Sequence, residues 1–406
     1  MVLLFLYIYP LRFVFVPGAT STRIMMGIVG LCLLIHTNRK TMHKLSHKAA
    51  IMLFSLLLIG FVSMVSLTLN GTHDSAFVLY PISAIMIMGG AFFLRYFSDR
   101  SAISYTSWDM TKYFTFAVLI QNTLAVILFF LPTLATTLRG LLVEADSTEA
   151  MMEQTAGFRL IGFGMAFFGA GIISSIALIF TAYRIRNYSG KIWGLIGWIS
   201  TYTWIAVTGV CMARTTYVGV GISMAIFVWN SRLFKLKISG KLRKIIAATA
   251  VLIVMAITFI LLLPASVKSE LESMSDFAFE LFINYQQDGE VSSSSTNELL
   301  EMWEVMPSYM RTWIIGDGLW VDPMSGRYYM STDVGYLRLI FYFGIIGMLT
   351  YMWFQYNSVR YAISKNRGNM KIPLLLLFAI CMILNLKGLT DIIAYSSLFF
   401  YTKIDL

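Results

Sequence analysis

AAIMLFSLLLIGFVSMVSLTL, residues 49–69, holds no charged side chain. About 20 apolar residues are what an α-helix needs to cross the hydrocarbon core of a bilayer. In hydrocarbon each backbone amide and carbonyl must be bonded inside its own segment, so such a run reads as a helix. Further apolar runs at 2–16, 22–36, 76–96, 113–138, 158–183, 191–208, 213–230, 244–264, 334–356 and 372–387 repeat the pattern. A shorter run at 389–401 is a twelfth candidate, and Pro10 and Arg12 interrupt the first. The expectation is an all-α polytopic membrane protein of about 11–12 transmembrane helices with one large, partly helical extracytoplasmic loop.

Composition points the same way. The chain has 406 residues, 58% hydrophobic and 13% charged, against about 25% charged in a soluble domain. The net charge of +10 reads as basic cytoplasmic loops, not as a nucleic-acid footprint. Cys32, Cys211 and Cys381 all lie in apolar runs, without CxxC spacing or a disulfide framework. The apolar N-terminus has neither a basic leader nor a small-residue cleavage site, so no cleavable signal is expected.

The loops alternate in charge. Arg39, Lys40, Lys44 and Lys48 form one basic loop, Arg95, Arg100 and Lys112 a second, and Arg184, Arg186 and Lys191 a third. Arg232, Lys235, Lys237, Lys241, Arg243 and Lys244 follow, then Arg360, Lys365, Arg367 and Lys371. The intervening loops are acidic: Glu144, Asp146, Glu149 and Glu153 in one, and twelve acids between Glu270 and Asp333. The positive-inside rule puts the basic set in the cytoplasm and the loop of about 265–332 outside it. The chain therefore divides into a membrane portion at 1–264, a large loop at 265–332 and a second membrane portion at 333–406. Within the loop, Glu270–Tyr285 and Asn297–Met310 have amphipathic helical spacing, separated by the polar tract Gln286–Thr296.

No Walker-type nucleotide loop, HExxH pair, Cys/His cluster or GxSxG elbow is present, and the four histidines lie outside the large loop. No cofactor and no metal are expected.

What stands out is arginine placed against the charge bias. Seven basic residues fall on the outer side: Arg139, Arg159, Arg214, Lys268, Arg311, Arg327 and Arg338. Arg159, Arg214 and Arg338 each open an apolar run at the outer boundary. A lipid-linked diphosphate has its head at that depth, and guanidinium forks grip phosphate oxygens two at a time. Snorkelling to headgroups or pairing with loop acids is the alternative. Asp333 precedes the run that carries Arg338. A carboxylate there can take a proton from a sugar hydroxyl, or simply cap the helix. Lys387 and Asp391 are spaced for an i, i+4 ion pair, and Arg12 lacks an obvious partner. Phe277, Phe279, Phe282, Tyr285, Trp303, Tyr309, Trp313, Trp320, Tyr328 and Tyr329 give the loop aromatic faces suited to sugars or to an interfacial belt.

Four short motifs, in order, carry a family likeness: Gly157-Phe158-Arg159-Leu160-Ile161-Gly162-Phe163-Gly164; Ala213-Arg214-Thr215-Thr216-Tyr217-Val218-Gly219; Gly316-Asp317-Gly318 with Asp333-Val334-Gly335-Tyr336-Leu337-Arg338 and Phe343-Gly344-Ile345-Ile346-Gly347; and Asn385-Leu386-Lys387-Gly388. From about residue 20 onward the chain resembles the O-antigen polymerase (Wzy) family, which is related in fold to the O-antigen ligases. The resemblance implies an enzyme of the bacterial inner membrane that polymerises undecaprenyl-diphosphate-linked oligosaccharides on its outer face. It implies Arg159, Arg214 and Arg338 as holders of the diphosphate and Asp333 as candidate base. Arg311, Arg327, Tyr336 and Tyr217 are further binding candidates. A flippase and a chain-length regulator are the partners it implies. The ligases are expected to use a histidine in the large loop, and this loop has none. A ligase of the same fold and a secondary transporter or flippase stay as alternatives.

Overall fold

The computed structural model describes residues 1–38, 46–101, 103, 105–143, 151–152, 154–155, 157–165, 167–228, 265–289, 292–366 and 370–402. The expected span at 244–264, the loop acids Glu144, Asp146, Glu149 and Glu153, and the basic residues Arg39, Lys40, Lys44, Arg367 and 232–244 lie outside them. The described chain is helical, with no strand beyond two isolated bridges. Its helices are α1 (Val2–Ile8), α2 (Thr22–Asn38), α3 (His47–Asn70), α4 (Tyr80–Arg100), α5 (Ser107–Phe130) and α6 (Pro132–Arg139). They continue with α7 (Phe167–Arg186), α8 (Ile192–Met212), α9 (Thr216–Val228), α10 (Ala265–Asp288), α11 (Ser294–Glu304) and α12 (Met310–Ile315). The last are α13 (Gly335–Lys365), α14 (Lys371–Leu384) and α15 (Ile393–Ser396). Six of them (α3, α4, α5, α7, α8 and α13) are long and apolar enough to cross a bilayer, and α2, α9 and α14 are shorter apolar helices. The protein is an all-α polytopic membrane protein.

Contacts divide the chain into two compact units. The first holds Leu11–Ala19 and Thr111–Ser292; the second holds Val2–Pro10, Thr20–Met110 and Ser293–Leu406. The loop of the sequence reading is shared out: α10 belongs to the first unit, α11 and α12 to the second.

In the first unit α7 is central, with buried residues on all sides from Ala170 to Ile185. Small residues allow close approach. Gly219 of α9 lies against the Ser175 backbone, so a Cβ there would collide with it. Gly209 of α8 faces Ser174 and Thr216, whose nearest atoms lie 2.9–3.0 Å from where a Cβ would stand. This is the small-residue packing that apolar helices use in membranes.

In the second unit α13 is broken in its middle. Phe343 has non-helical backbone angles and Gly344 has φ +70°, a region open to glycine. The break frees carbonyls that other segments take up. Asp317 N–H donates to Phe341 O at 2.6 Å and Gly318 N–H to Tyr342 O at 3.0 Å. Ser66 Oγ also donates to Tyr342 O, at 2.8 Å. A broken helix is stable at membrane depth only where protein satisfies the freed groups in this way.

Several expected boundaries are corrected. The run at 2–16 is not one span: α1 stops at Ile8, because Pro10 has no N–H to continue it, and Arg12 is exposed beyond it. The run at 113–138 is interrupted at Leu131–Pro132 for the same reason. The helix expected from 158 starts at Phe167, after an irregular stretch in which Gly164 has φ +68°. The run at 389–401 forms two short turns, Ile393–Ser396 and Ser397–Phe399, too short to span a bilayer.

Candidate functional site

In the first unit, α8 ends at Met212 and α9 begins at Thr216, leaving Arg214 in a tight turn. The last carbonyls of a helix have no partner within it, and the irregular 157–164 stretch takes them. Leu160 N–H donates to Cys211 O at 3.2 Å, and Arg159 Nε donates to Met212 O at 2.6 Å. A cation at a helix C-terminus also meets the negative end of the dipole.

That bond uses only Nε of Arg159. Its guanidinium lies 4.6 Å from the Phe167 ring centroid and 5.0 Å from that of Phe277. Arg214 lies 4.6 Å from the same Phe277 ring. Two cations 55 positions apart in sequence therefore share one ring of α10. Arg214 also makes an ion pair through Nη1 with Glu280, one turn further along α10. Burial, and then the charge of Arg214, lower Arg159 to about 10, so it is still a cation at neutral pH. Tyr217, the first-unit binding candidate, donates its hydroxyl to Ala278 O at 2.9 Å. It braces α9 against α10.

The second unit holds Arg338 in the first turn of α13. It is 7% exposed, with its guanidinium carbon 3.5 Å from the Trp320 ring centroid and 3.6 Å from that of Tyr328. Two rings at that distance cannot share a face, so both faces of the guanidinium are covered. Trp320 is fixed from behind: its ring meets Phe77 at 5.1 Å, and Asp74 Oδ2 accepts the Trp320 and Val321 amides at 2.7 and 3.1 Å.

Asp333 is exposed just before α13. The helix is capped at Val334 without any side-chain bond, so Asp333 does not serve as the cap the sequence allowed. Desolvation raises its carboxyl above the usual range, while Arg338 and then Lys387 pull it back. Arg311 is exposed and gives Nη2 to Leu69 O at 2.5 Å, near the end of α3. Arg327 is exposed in the 322–327 turn. Tyr336 gives its hydroxyl to Met382 O at 2.8 Å, a brace between α13 and α14. Gly335 and Tyr336 dock on the turn after α14, where Tyr336 N–H donates to Asn385 O at 3.2 Å.

Asp391, expected to face Lys387, accepts Tyr80 Oη at 2.9 Å, Gln355 Nε2 at 3.0 Å and the Ile393 amide at 2.9 Å, and Lys387 also acts on Asp333.

Thus Arg159 and Arg214 are brought together in one unit, and Arg338 and Asp333 lie within five residues of each other in the other. Sequence reasoning missed Glu280, visible only as one acid among many, and Asp74, a lone acid just past Asn70-Gly71. Phe277, Trp320 and Tyr328 are legible in the sequence as loop aromatics, but nothing in their spacing ties them to arginines. Among the described residues no His/Cys/Asp/Glu group is arranged to hold a metal. No family model matches the chain, and neither a curated protein nor a solved structure does.

Proposed function

We propose that the protein is a glycosyltransferase that polymerises undecaprenyl-diphosphate-linked repeat units into polysaccharide, working on the outer face of a bacterial cytoplasmic membrane with residues 265–332 on the periplasmic side. A hydroxyl of the acceptor sugar attacks the anomeric carbon of the donor chain. The bond from that carbon to the diphosphate breaks, undecaprenyl diphosphate leaves with the electron pair, and Asp333 takes the hydroxyl proton.

One observation carries the reading: Arg159 and Arg214 bring like charges to a single ring, Phe277. Glu280 offsets only one of the two charges, and the positive charge left over in a partly desolvated place is unfavourable until an anion such as a diphosphate shares it. Planar guanidinium groups suit its oxygens, and pre-placed positive charge stabilises the leaving group as the bond breaks. Within the second unit, Arg338 is a guanidinium five residues from Asp333. A flippase to deliver repeat units and a chain-length regulator are the proposed partners. A ligase of the same fold is the nearest rival. The test is turnover of synthetic lipid-linked repeat units by the purified protein. A ladder of products without nucleotide sugar supports a polymerase, and no transfer under any condition removes the enzyme.

A second reading has its own observation. Tyr80, Gln355 and Asp391 form a polar group inside the second unit, and α13 is a broken helix. Membrane transporters place ionisable groups and discontinuous helices at their substrate sites. In a deletion strain a flippase reading predicts repeat units stranded on the inner leaflet. A polymerase reading predicts single units accumulating on the outer one.

A further inference from the structure

Arg338 is a buried cation with an unused edge. Its Nε and Nη2 have no hydrogen-bond partner among the described residues. These two nitrogens share one side of the guanidinium plane. That side is the one that grips two oxygens of a single oxyanion in parallel. Buried donors without acceptors are rare and costly in folded proteins, and this side chain has two on the same edge.

The two rings over Arg338 are held differently. Trp320 is anchored by Phe77, Tyr342 and Asp74. Tyr328 is 47% exposed and rides on a short turn. Asp322 N–H donates to Arg327 O at 2.8 Å, and Asp322 Oδ1 accepts the Met324 and Ser325 amides at 2.7 and 3.1 Å. On one side of Tyr328 lies Gly326, with φ +68°; on the other, Met330 and Ser331 hold φ of +57° and +52°. Non-glycine residues in that region are strained, and such strain gathers at ligand clamps and switch segments. Met324 at the tip is fully exposed. The backbone of the turn is tied down: Val321 is bridged to Tyr328, Tyr329 N–H donates to Trp320 O at 3.3 Å and the Tyr329 hydroxyl donates to Asp317 Oδ2 at 3.3 Å. Trp320 is therefore fixed, and Tyr328 is the plate whose half-exposed side chain can move.

We propose that Arg338 is a covered oxyanion site and that Tyr328 is its cover, displaced when a phosphoryl group engages the Nε–Nη2 edge. The proposal rests on reading Arg338 as a phosphate-binding residue. It adds that the site is shut until its ligand turns the half-exposed Tyr328 side chain aside, and that aromatic faces stabilise the cation while no substrate is present. A cover lowers apparent affinity by the fraction of time that it is open, so trimming it should tighten binding, whereas trimming a true contact would weaken it.

The experiment is equilibrium dialysis of inorganic diphosphate against the full chain in detergent. It is done in the parent and again in an Arg214→Ala background, which removes the other candidate anion site. Tyr328→Ala should tighten binding about tenfold, the effect of removing a closed state that dominates by that ratio. Tyr328→Leu, which keeps bulk but lacks a π face, should also tighten it, and Tyr328→Phe should match the parent. Adding Arg338→Gln to Tyr328→Ala should abolish the gain. Unchanged affinity in both Tyr328→Ala and Tyr328→Leu overturns the proposal, as does a gain that survives Arg338→Gln. A parallel titration with glucuronate separates the sources of the oxyanion. Tightening toward diphosphate supports the phosphoryl assignment, and tightening toward glucuronate alone overturns it. Because the readout is binding in the Arg214→Ala background, a failed polymerase reading leaves the expected gain intact.

Discussion

Arg214 and Arg338 both stand at the starts of apolar helices, and the protein neutralises them in opposite ways. Arg214 has a carboxylate, Glu280, and a second cation, Arg159, close enough to share its aromatic neighbour. Arg338 has rings on its faces, feels the Asp333 carboxylate without an ion pair among the described residues, and leaves two nitrogens of one edge unbonded. The first arrangement is a charge cluster with a built-in counter-ion. The second is a cation stabilised by aromatic faces, which cover the guanidinium without using up its donors. A counter-ion must be displaced or shared when an anionic substrate arrives, whereas an unused edge needs only to be uncovered. Evidently two physical routes to keeping arginine near hydrocarbon coexist in one chain, and they imply different responses to substitution.

The largest effect is expected at Arg214. Arg214→Ala should reduce turnover of lipid-linked repeat units by about 10²–10³-fold, the usual loss when one pre-placed donor to a developing oxyanion is removed. Chain length on gels and initial rate with synthetic substrate both report it, with protein level as the control. Near-normal chain length in Arg214→Ala would demote the Arg159–Arg214 cluster to a structural feature that joins α9 to α10 through Glu280.

A lysine exchange sharpens the comparison at the next level. An ammonium keeps the charge but has no planar fork and does not stack between two plates. Losing one charge-assisted hydrogen bond is worth about 1.5–3 kcal/mol, roughly a 10- to 100-fold fall in rate. Arg338→Lys should sit at the severe end of that range, because Trp320 and Tyr328 are spaced for a flat group. Arg159→Lys should be milder, since a single donor can still reach Met212 O. Equal, full activity in both variants would show that only charge matters at either place.

How much of this was readable beforehand differs by level. Long apolar runs gave α3, α4, α8 and α14 to within a few residues, because the bilayer rule depends on length and hydropathy alone. The breaks at Pro132 and Phe343–Gly344 were not foreseen as breaks. Hydropathy does not register where backbone carbonyls find partners, and the partners of Phe341 and Tyr342 come from Asp317, Gly318 and Ser66, far away in sequence. The arginines were legible because they oppose the charge bias of the loops. Their aromatic and acidic neighbours were not, since Phe277 and Glu280 meet Arg159 and Arg214 only after α10 has packed on α8 and α9. Asp333 was legible as an ionisable residue before a span, but its release from capping duty is a fact of the backbone at Val334.

The smallest and most diagnostic effect concerns the pH dependence of the same carboxylate. Asp333 works as a base only when ionised. Desolvation raises its carboxyl above the ordinary range, and Arg338 and Lys387 oppose that rise. Activity should therefore fall on the acid side through that raised value, with the loss complete once Asp333 is protonated. Lys387→Met removes a positive neighbour and makes the ionised form less favourable, so the acid limb should move to higher pH by less than about 1 unit, with the plateau rate at high pH retained. Asp333→Asn should remove both the limb and the turnover, while leaving diphosphate binding in place. The pH–rate profile of the purified protein on synthetic repeat units decides it. A limb that stays fixed in Lys387→Met, or turnover that persists in Asp333→Asn, assigns the proton to another group and leaves Arg338 as a binding residue alone.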